Sequence, residues 1–125
     1  MHELSIAAGI VEMASDLCHR SGGKRVTSIT LRVGRLAGVQ EGALRFGFDL
    51  VAAGTPLAAA TLAIVEVPVR VWCPNCAAEA DLPDLRRFAC PACGRPTGDV
   101  RAGRELEIES LALDARSRPA PEAAP

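Results

Sequence analysis

Two copies of one short pattern carry the clearest chemistry in this chain. Cys73-Pro74-Asn75-Cys76 is followed, after thirteen residues, by Cys90-Pro91-Ala92-Cys93-Gly94. Each C-x-x-C turn can aim two sulfurs at one point. Two such turns closing on each other supply four thiolates in a tetrahedron, the geometry and softness that Zn²⁺ prefers. Gly94 suits the tight turn that must follow the second pair. A thioredoxin-like redox motif would need a single C-x-x-C opening a helix in a βαβ context; here there are two, each with a proline inside. A redox pair and four unliganded core thiols stand as the alternatives. Four protein thiolates also close the coordination sphere, which leaves no position for an activated water and makes the expected zinc structural. Cys18, the fifth thiol, falls on the apolar face of a predicted helix and is expected to be an inert core residue.

A second ligand set lies at the start. With His at position two, removal of the initiator methionine is disfavoured, so Met1 is expected to remain. Its α-amine, the backbone nitrogen of His2 and a His2 ring nitrogen can chelate one ion in fused rings, with a fourth place for Glu3. Nitrogen-rich planar coordination suits Ni²⁺ or Cu²⁺ rather than zinc, and the affinity order favours Cu²⁺, so selectivity would have to come from partners and metal supply. The alternative is an ordinary solvated histidine, the reading also given to His19. Gly22-Gly23-Lys24 lacks the first glycine, the spacing and the Ser/Thr of a phosphate-binding loop, so any nucleotide-driven step belongs to another protein. With only two histidines, no catalytic Ser/His/Asp or Cys/His set stands out, and the chain is read as a non-enzyme.

These residues need elements to hold them. Over residues 3–20, Leu4, Ala7, Ala8, Val11, Ala14 and Cys18, with Ile6, Ile10, Met13 and Leu17, recur at helical spacing and predict a broad buried face. Ser21-Gly22-Gly23 should end this helix. Residues 26–33 alternate as a strand with one apolar face. A second helix is expected over 41–53, closed by Gly54-Thr55-Pro56. One long strand is expected over 61–72, with Pro68 marking an edge or a bulge. A last strand starts near Arg104. The expected fold is α+β: two helices on a small mixed three-stranded sheet, with a four-cysteine zinc-ribbon knob at the tip of a hairpin formed by the last two strands. The domains read as 1–72 plus 104–114, the knob 73–103, and a disordered tail over 115–125.

Composition bounds the rest. The 125 residues hold 14 Lys+Arg against 15 Asp+Glu, 49% hydrophobic residues and only 3% aromatic ones. A single domain with a small appendage is what that length supports. A core poor in aromatics forgoes the roughly 150–250 Å² that each would bury, so a stabilising metal is unsurprising. The near-zero charge removes the electrostatic case for nucleic acid or a membrane surface. No secretory h-region and no apolar run of membrane-spanning length is present, which points to the cytoplasm.

The opening Met-His-Glu-Leu-Ser, the Val33-Gly34 to Gly38-Val39 loop, Leu50-Val51 to Gly54-Thr55, the paired C-P-x-C motifs and the closing Gly103-Arg-Glu-Leu-Glu-Ile-Glu-Ser-Leu resemble the HypA/HybF hydrogenase nickel-incorporation proteins over residues 1–114. The resemblance implies a nickel metallochaperone for [NiFe]-hydrogenase maturation, in some relatives also for urease. It implies His2 as the essential nickel ligand with the Met1 amine, Glu3 as an adjacent ligand or tuner, and Cys73, Cys76, Cys90 and Cys93 as zinc ligands. It implies as partners a HypB-type GTPase and the hydrogenase large-subunit precursor, with urease maturation proteins in some cases. Some relatives place an acid at the start of the second helix; this chain has Gln40 there, beside Glu41. Neither nucleic acid nor membrane is expected as a partner, and the expected state is a monomer or a weak homodimer. A zinc-ribbon adaptor, binding protein or nucleic acid with no nickel function, is the competing reading. Its basic residues Arg86, Arg87, Arg95, Arg101 and Arg104 are offset by Glu79, Asp81, Asp84 and Asp99, which makes a poor phosphate-tracking surface.

Overall fold

The computed structural model describes residues 2–114; the Met1 amine and the tail expected over 115–125 lie outside the described residues. The element order is α1 (His2–Arg20), β1 (Arg25–Gly34), α2 (Glu41–Ala52), β2 (Thr61–Val67), β3 (Arg70–Cys73), β4 (Ala78–Asp81), β5 (Val100–Ala102) and β6 (Leu106–Asp114). The expected α+β architecture of two helices, a small sheet and a four-cysteine segment among the strands is present. The chain divides into two compact units. One takes in the chain up to Leu31, Val39–Ile64 and the chain from Ile108; the other takes in Arg32–Gly38 and Val65–Glu107.

Two strand expectations need correction. The single strand over 61–72 is two strands, β2 and β3, and they belong to different sheets, ordered β2-β1-β6 and β4-β3-β5. Pro68 sits at the break, where its missing N–H interrupts the ladder. Nor do the long strand and the last strand form a hairpin, because β1 lies between β2 and β6. Burial explains the central place of β1: Val26, Ile29, Leu31 and Val33 are all buried, whereas β2 and β6 are largely exposed, as edge strands can be. The cysteine segment is also more regular than a bare knob. It carries its own antiparallel sheet, in which Val71 faces Ala80 on β4 and Val100 on β5.

α1 buries Ala7, Ile10, Val11, Ala14 and Cys18, a narrower stripe than its apolar spacing predicts; Met13 is 56% exposed. The reason is the size of the contact residues. A Cβ on Gly47 of α2 would lie 3.4 Å from the Leu4 Cα and 3.5 Å from the Ala7 Cβ, so the two helix backbones approach closely through small side chains. Close approach gives an aromatic-poor chain a dense interior. At the far end of α1, the Gly23 N–H bonds the Cys18 carbonyl at 2.9 Å and the Gly22 N–H the His19 carbonyl at 3.1 Å, which satisfies the last turn.

The second unit packs Leu36, Leu85, Phe88 and Val100 on a buried cluster of Val69, Val71 and Leu82. Gly34 and Gly103 make that packing possible. A Cβ on Gly34 would overlap the Gly103 carbonyl, and one on Gly103 (φ +119°) would lie 2.9 Å from the Val69 Cα. The Gly103 carbonyl in turn accepts the Leu36 N–H at 2.7 Å. Gly103→Ala should therefore lower stability by roughly 2–4 kcal/mol, the sum of backbone strain and overpacking. A denaturant midpoint equal to that of the wild type would contradict this close approach. Among the described residues, no helix is long and apolar enough to cross a membrane.

Candidate metal centre

The two C-x-x-C motifs fold as matching turns. Cys73 ends β3 opposite Ala78 of β4, so residues 74–77 form the connection, and the Cys76 N–H points to the Cys73 sulfur at 3.5 Å. In the second motif the Cys90 N–H bonds the Arg95 carbonyl at 2.8 Å and the Gly94 N–H returns to the Cys90 carbonyl at 2.7 Å. The residue after each second cysteine is left-handed: Gly94 at φ +79° and Ala77 at φ +53°. Glycine takes that conformation freely and alanine at a cost, so sequence marks the left-handed residue of the second turn and not that of the first.

The sulfurs of Cys73, Cys76, Cys90 and Cys93 all lie within 4.8 Å of one another. Cys73 to Cys93 is 3.6 Å and Cys76 to Cys90 is 3.9 Å. A regular tetrahedron with Zn–S bonds of about 2.3 Å has edges of about 3.8 Å, so the donor set fits zinc in both chemistry and size. Proton affinities agree with a site built for a cation. The Arg95 backbone N–H, with its sulfur neighbours, draws the Cys93 thiol down to about 6, while hydrogen bonds among the sulfurs, chiefly to Cys93 and Cys90, push Cys76 up to about 12. Four thiols in so small a volume cannot all ionise alone, and a dication removes that repulsion with release of protons.

Thr97, which spacing did not single out, ties the second turn to the first. Its hydroxyl donates to the Trp72 carbonyl at 2.6 Å, its own N–H bonds the Phe88 carbonyl at 3.0 Å, and it is 8% exposed. Three arginines around this sheet face acids: Arg70 with Asp81 at 2.9 Å, Arg86 with Asp84 at 3.2 Å and Arg101 with Asp99 at 2.9 Å. Arg101 also covers Trp72 at 5.1 Å from the ring centroid. Cys18 is fully buried on α1 and is not among the clustered cysteines, and His19 is exposed.

The N-terminal set has a different character. His2 begins α1 with its side chain 60% exposed, and its Nδ1 is 3.6 Å from Glu3 Oε1. The Glu3 side chain is only 13% exposed. The Gln40 backbone N–H donates to Glu3 Oε2 at 3.1 Å, and this bond is the main cause that holds the Glu3 carboxyl below its usual range. Gln40 caps α2: its side-chain Oε1 accepts the Ala43 N–H at 2.7 Å and its carbonyl accepts the Leu44 N–H at 3.0 Å. Position 40 thus holds a helix cap where some relatives place an acid. Glutamine is not a favoured cap residue, and its partner Glu3 is 37 residues away, so no local signal marked the pair.

The family model described as "Hydrogenase/urease nickel incorporation, metallochaperone, hypA" matches residues 1–113. The hydrogenase maturation factor HypA of Chloroflexus aurantiacus is 54% identical over 111 residues, covering 89% of this chain and 97% of the relative. That of Paracoccus denitrificans is 40% identical, covering 86% of this chain and 99% of the relative. The solution structure of the nickel metallochaperone HypA from Helicobacter pylori superposes with a TM-score of 0.66 at 17% identity, covering 90% of this chain and 97% of the other, which supports the fold. With one family model spanning nearly the whole chain and relatives above 50% identity, the chain belongs to the HypA family of hydrogenase and urease nickel-incorporation metallochaperones.

Proposed function

We propose that the protein binds one Ni²⁺ at its N-terminus, through the Met1 α-amine and the nitrogens of His2 with Glu3 beside them, and delivers it during [NiFe]-hydrogenase maturation. The observation that carries this reading is the placement of His2 and Glu3 in the first turn of α1, with an exposed imidazole 3.6 Å from a carboxylate oxygen. A site made from a chain end has few ligands and opens easily, which suits a carrier. Amine and imidazole must both be unprotonated to bind, so acid releases the ion, and a partner offering more ligands can take it.

Cys73, Cys76, Cys90 and Cys93 are assigned to a structural zinc, whose chemistry there is to cross-link two turns. In this reading residues 1–72 with 104–114 form the nickel-binding domain and 73–103 the zinc-binding domain. The receiving partners are a HypB-type GTPase and the hydrogenase large-subunit precursor, with urease maturation proteins as further recipients, in the cytoplasm. The protein acts as a monomer or weak homodimer and catalyses no reaction itself. Calorimetric titration of the zinc-loaded protein, with Met1 as its first residue, should show one equivalent of Ni²⁺ bound with proton release. A zinc-ribbon adaptor would show no uptake, and that result would reject the proposal.

A further inference from the structure

Glu3 is placed to do more than stand beside the metal. One of its carboxylate oxygens, Oε2, accepts the Gln40 N–H at 3.1 Å, while the other, Oε1, faces His2 Nδ1 at 3.6 Å. The side chain is largely covered, and it bridges the first turn of α1 and the start of α2. A carboxylate at a helix N-terminus receives a charge-assisted hydrogen bond and meets the positive end of the helix dipole, so the contact is directional. Leu4 and Ala7, the next residues on that side, pack against Gly47 further along the same helix. The start of α1 is therefore held at one polar point and one close apolar contact.

We infer that Glu3 is a positioning residue for the nickel-binding end: Oε2, fixed by the Gln40 N–H, docks the first turn of α1 on the start of α2 and leaves Oε1 as the oxygen presented beside His2. The inference rests on the N-terminal nickel site proposed above. It assigns Gln40 a part in nickel affinity through its backbone alone, as the donor that orients a neighbour of the metal. Partners of this kind are worth about 10–100-fold in metal affinity.

The test compares two substitutions at position 40 in zinc-loaded protein. Gln40→Ala removes the side-chain cap and keeps the N–H; Gln40→Pro removes both. Ni²⁺ titration should give Gln40→Ala an affinity near that of the wild type and Gln40→Pro one weaker by about 10-fold, with His2 and Glu3 unchanged in both. Equal nickel affinities for the two variants would overturn the inference. Should Gln40→Pro disturb the fold, Glu3→Gln and Glu3→Ala serve instead. Glutamine keeps an acceptor for the Gln40 N–H and should retain more affinity than alanine; equal losses would overturn the inference.

Hydrogen exchange without nickel separates this role from the nickel reading itself. The Gln40 amide should be protected in the wild type and lose protection in Glu3→Ala, and an unprotected wild-type amide would overturn the inference. If His2→Ala binds Ni²⁺ as tightly as the wild type, the N-terminal site fails and the positioning role fails with it. Protection at Gln40 would then show the Glu3 bond standing as a purely structural contact.

Discussion

His2→Ala should abolish stoichiometric Ni²⁺ binding while leaving the fold intact, and acetylating the Met1 α-amine should do the same. The two variants remove different atoms. The first takes away the imidazole, and the second converts the terminal amine that anchors the chelate into a neutral amide with no free amine before it. Each loses a direct ligand, so the affinity loss should exceed the about 10–100-fold typical of outer-shell partners. The fold should be indifferent because the His2 side chain is mostly exposed and α1 buries its stripe from Ala7 onward. Calorimetric titration measures the binding, and an unchanged thermal midpoint verifies the fold. Retained one-to-one nickel in both variants would move the site away from the chain end.

Zinc removal is expected to have the second large effect. The apparent free energy of a four-thiolate zinc, roughly 10–16 kcal/mol in small peptide sites, is comparable with the ~5–15 kcal/mol that stabilises an entire domain. The second unit has only a small apolar cluster around Val69, Val71 and Leu82 to fall back on. A strong chelator should therefore melt the segment 73–103, including β4 and β5, and leave much of α1, α2 and β1 folded. Trp72 is the sole tryptophan, and its backbone bonds Asp99 and Thr97 while Arg101 covers its ring, so its fluorescence should report the loss directly. Serine substitutions should grade in severity. Cys73 and Cys90 are 1% and 2% exposed, whereas Cys76 and Cys93 are exposed, so losing either inner sulfur also leaves a polar hydroxyl buried. Trp72 fluorescence and amide exchange that stay the same on zinc removal would show that the unit does not depend on the metal.

Zinc binding at this centre should depend on pH. Without metal, the Arg95 N–H draws the Cys93 thiol down to about 6, and the neighbouring sulfurs push Cys76 up to about 12. Zinc binds thiolates and displaces the thiol protons, so affinity rises with pH and falls as the solution is acidified.

The sequence by itself determined what depends on short spacing. The two C-x-x-C turns, the helix over residues 3–20 and the stop at Ser21-Gly22-Gly23 are each settled by neighbours within a few residues, through turn geometry or helical period. His2 and Glu3, adjacent in the chain, lie together in the first turn of α1.

Tertiary structure decided everything that depends on which distant segments meet. β1 became the central strand because its buried residues outnumber those of β2 and β6, a comparison that no single strand pattern contains. The break at Pro68 assigned two halves of one apolar run to different sheets, and short β4 and β5 gained their register only by pairing with β3. Gly34 and Gly103 are explained by one close contact across 69 residues of chain. Gln40 shows the principle most directly. In the sequence it stands where some relatives place an acid; in the fold its N–H meets Glu3, because a helix N-terminus must satisfy its donors and the other helix brings a carboxylate to it.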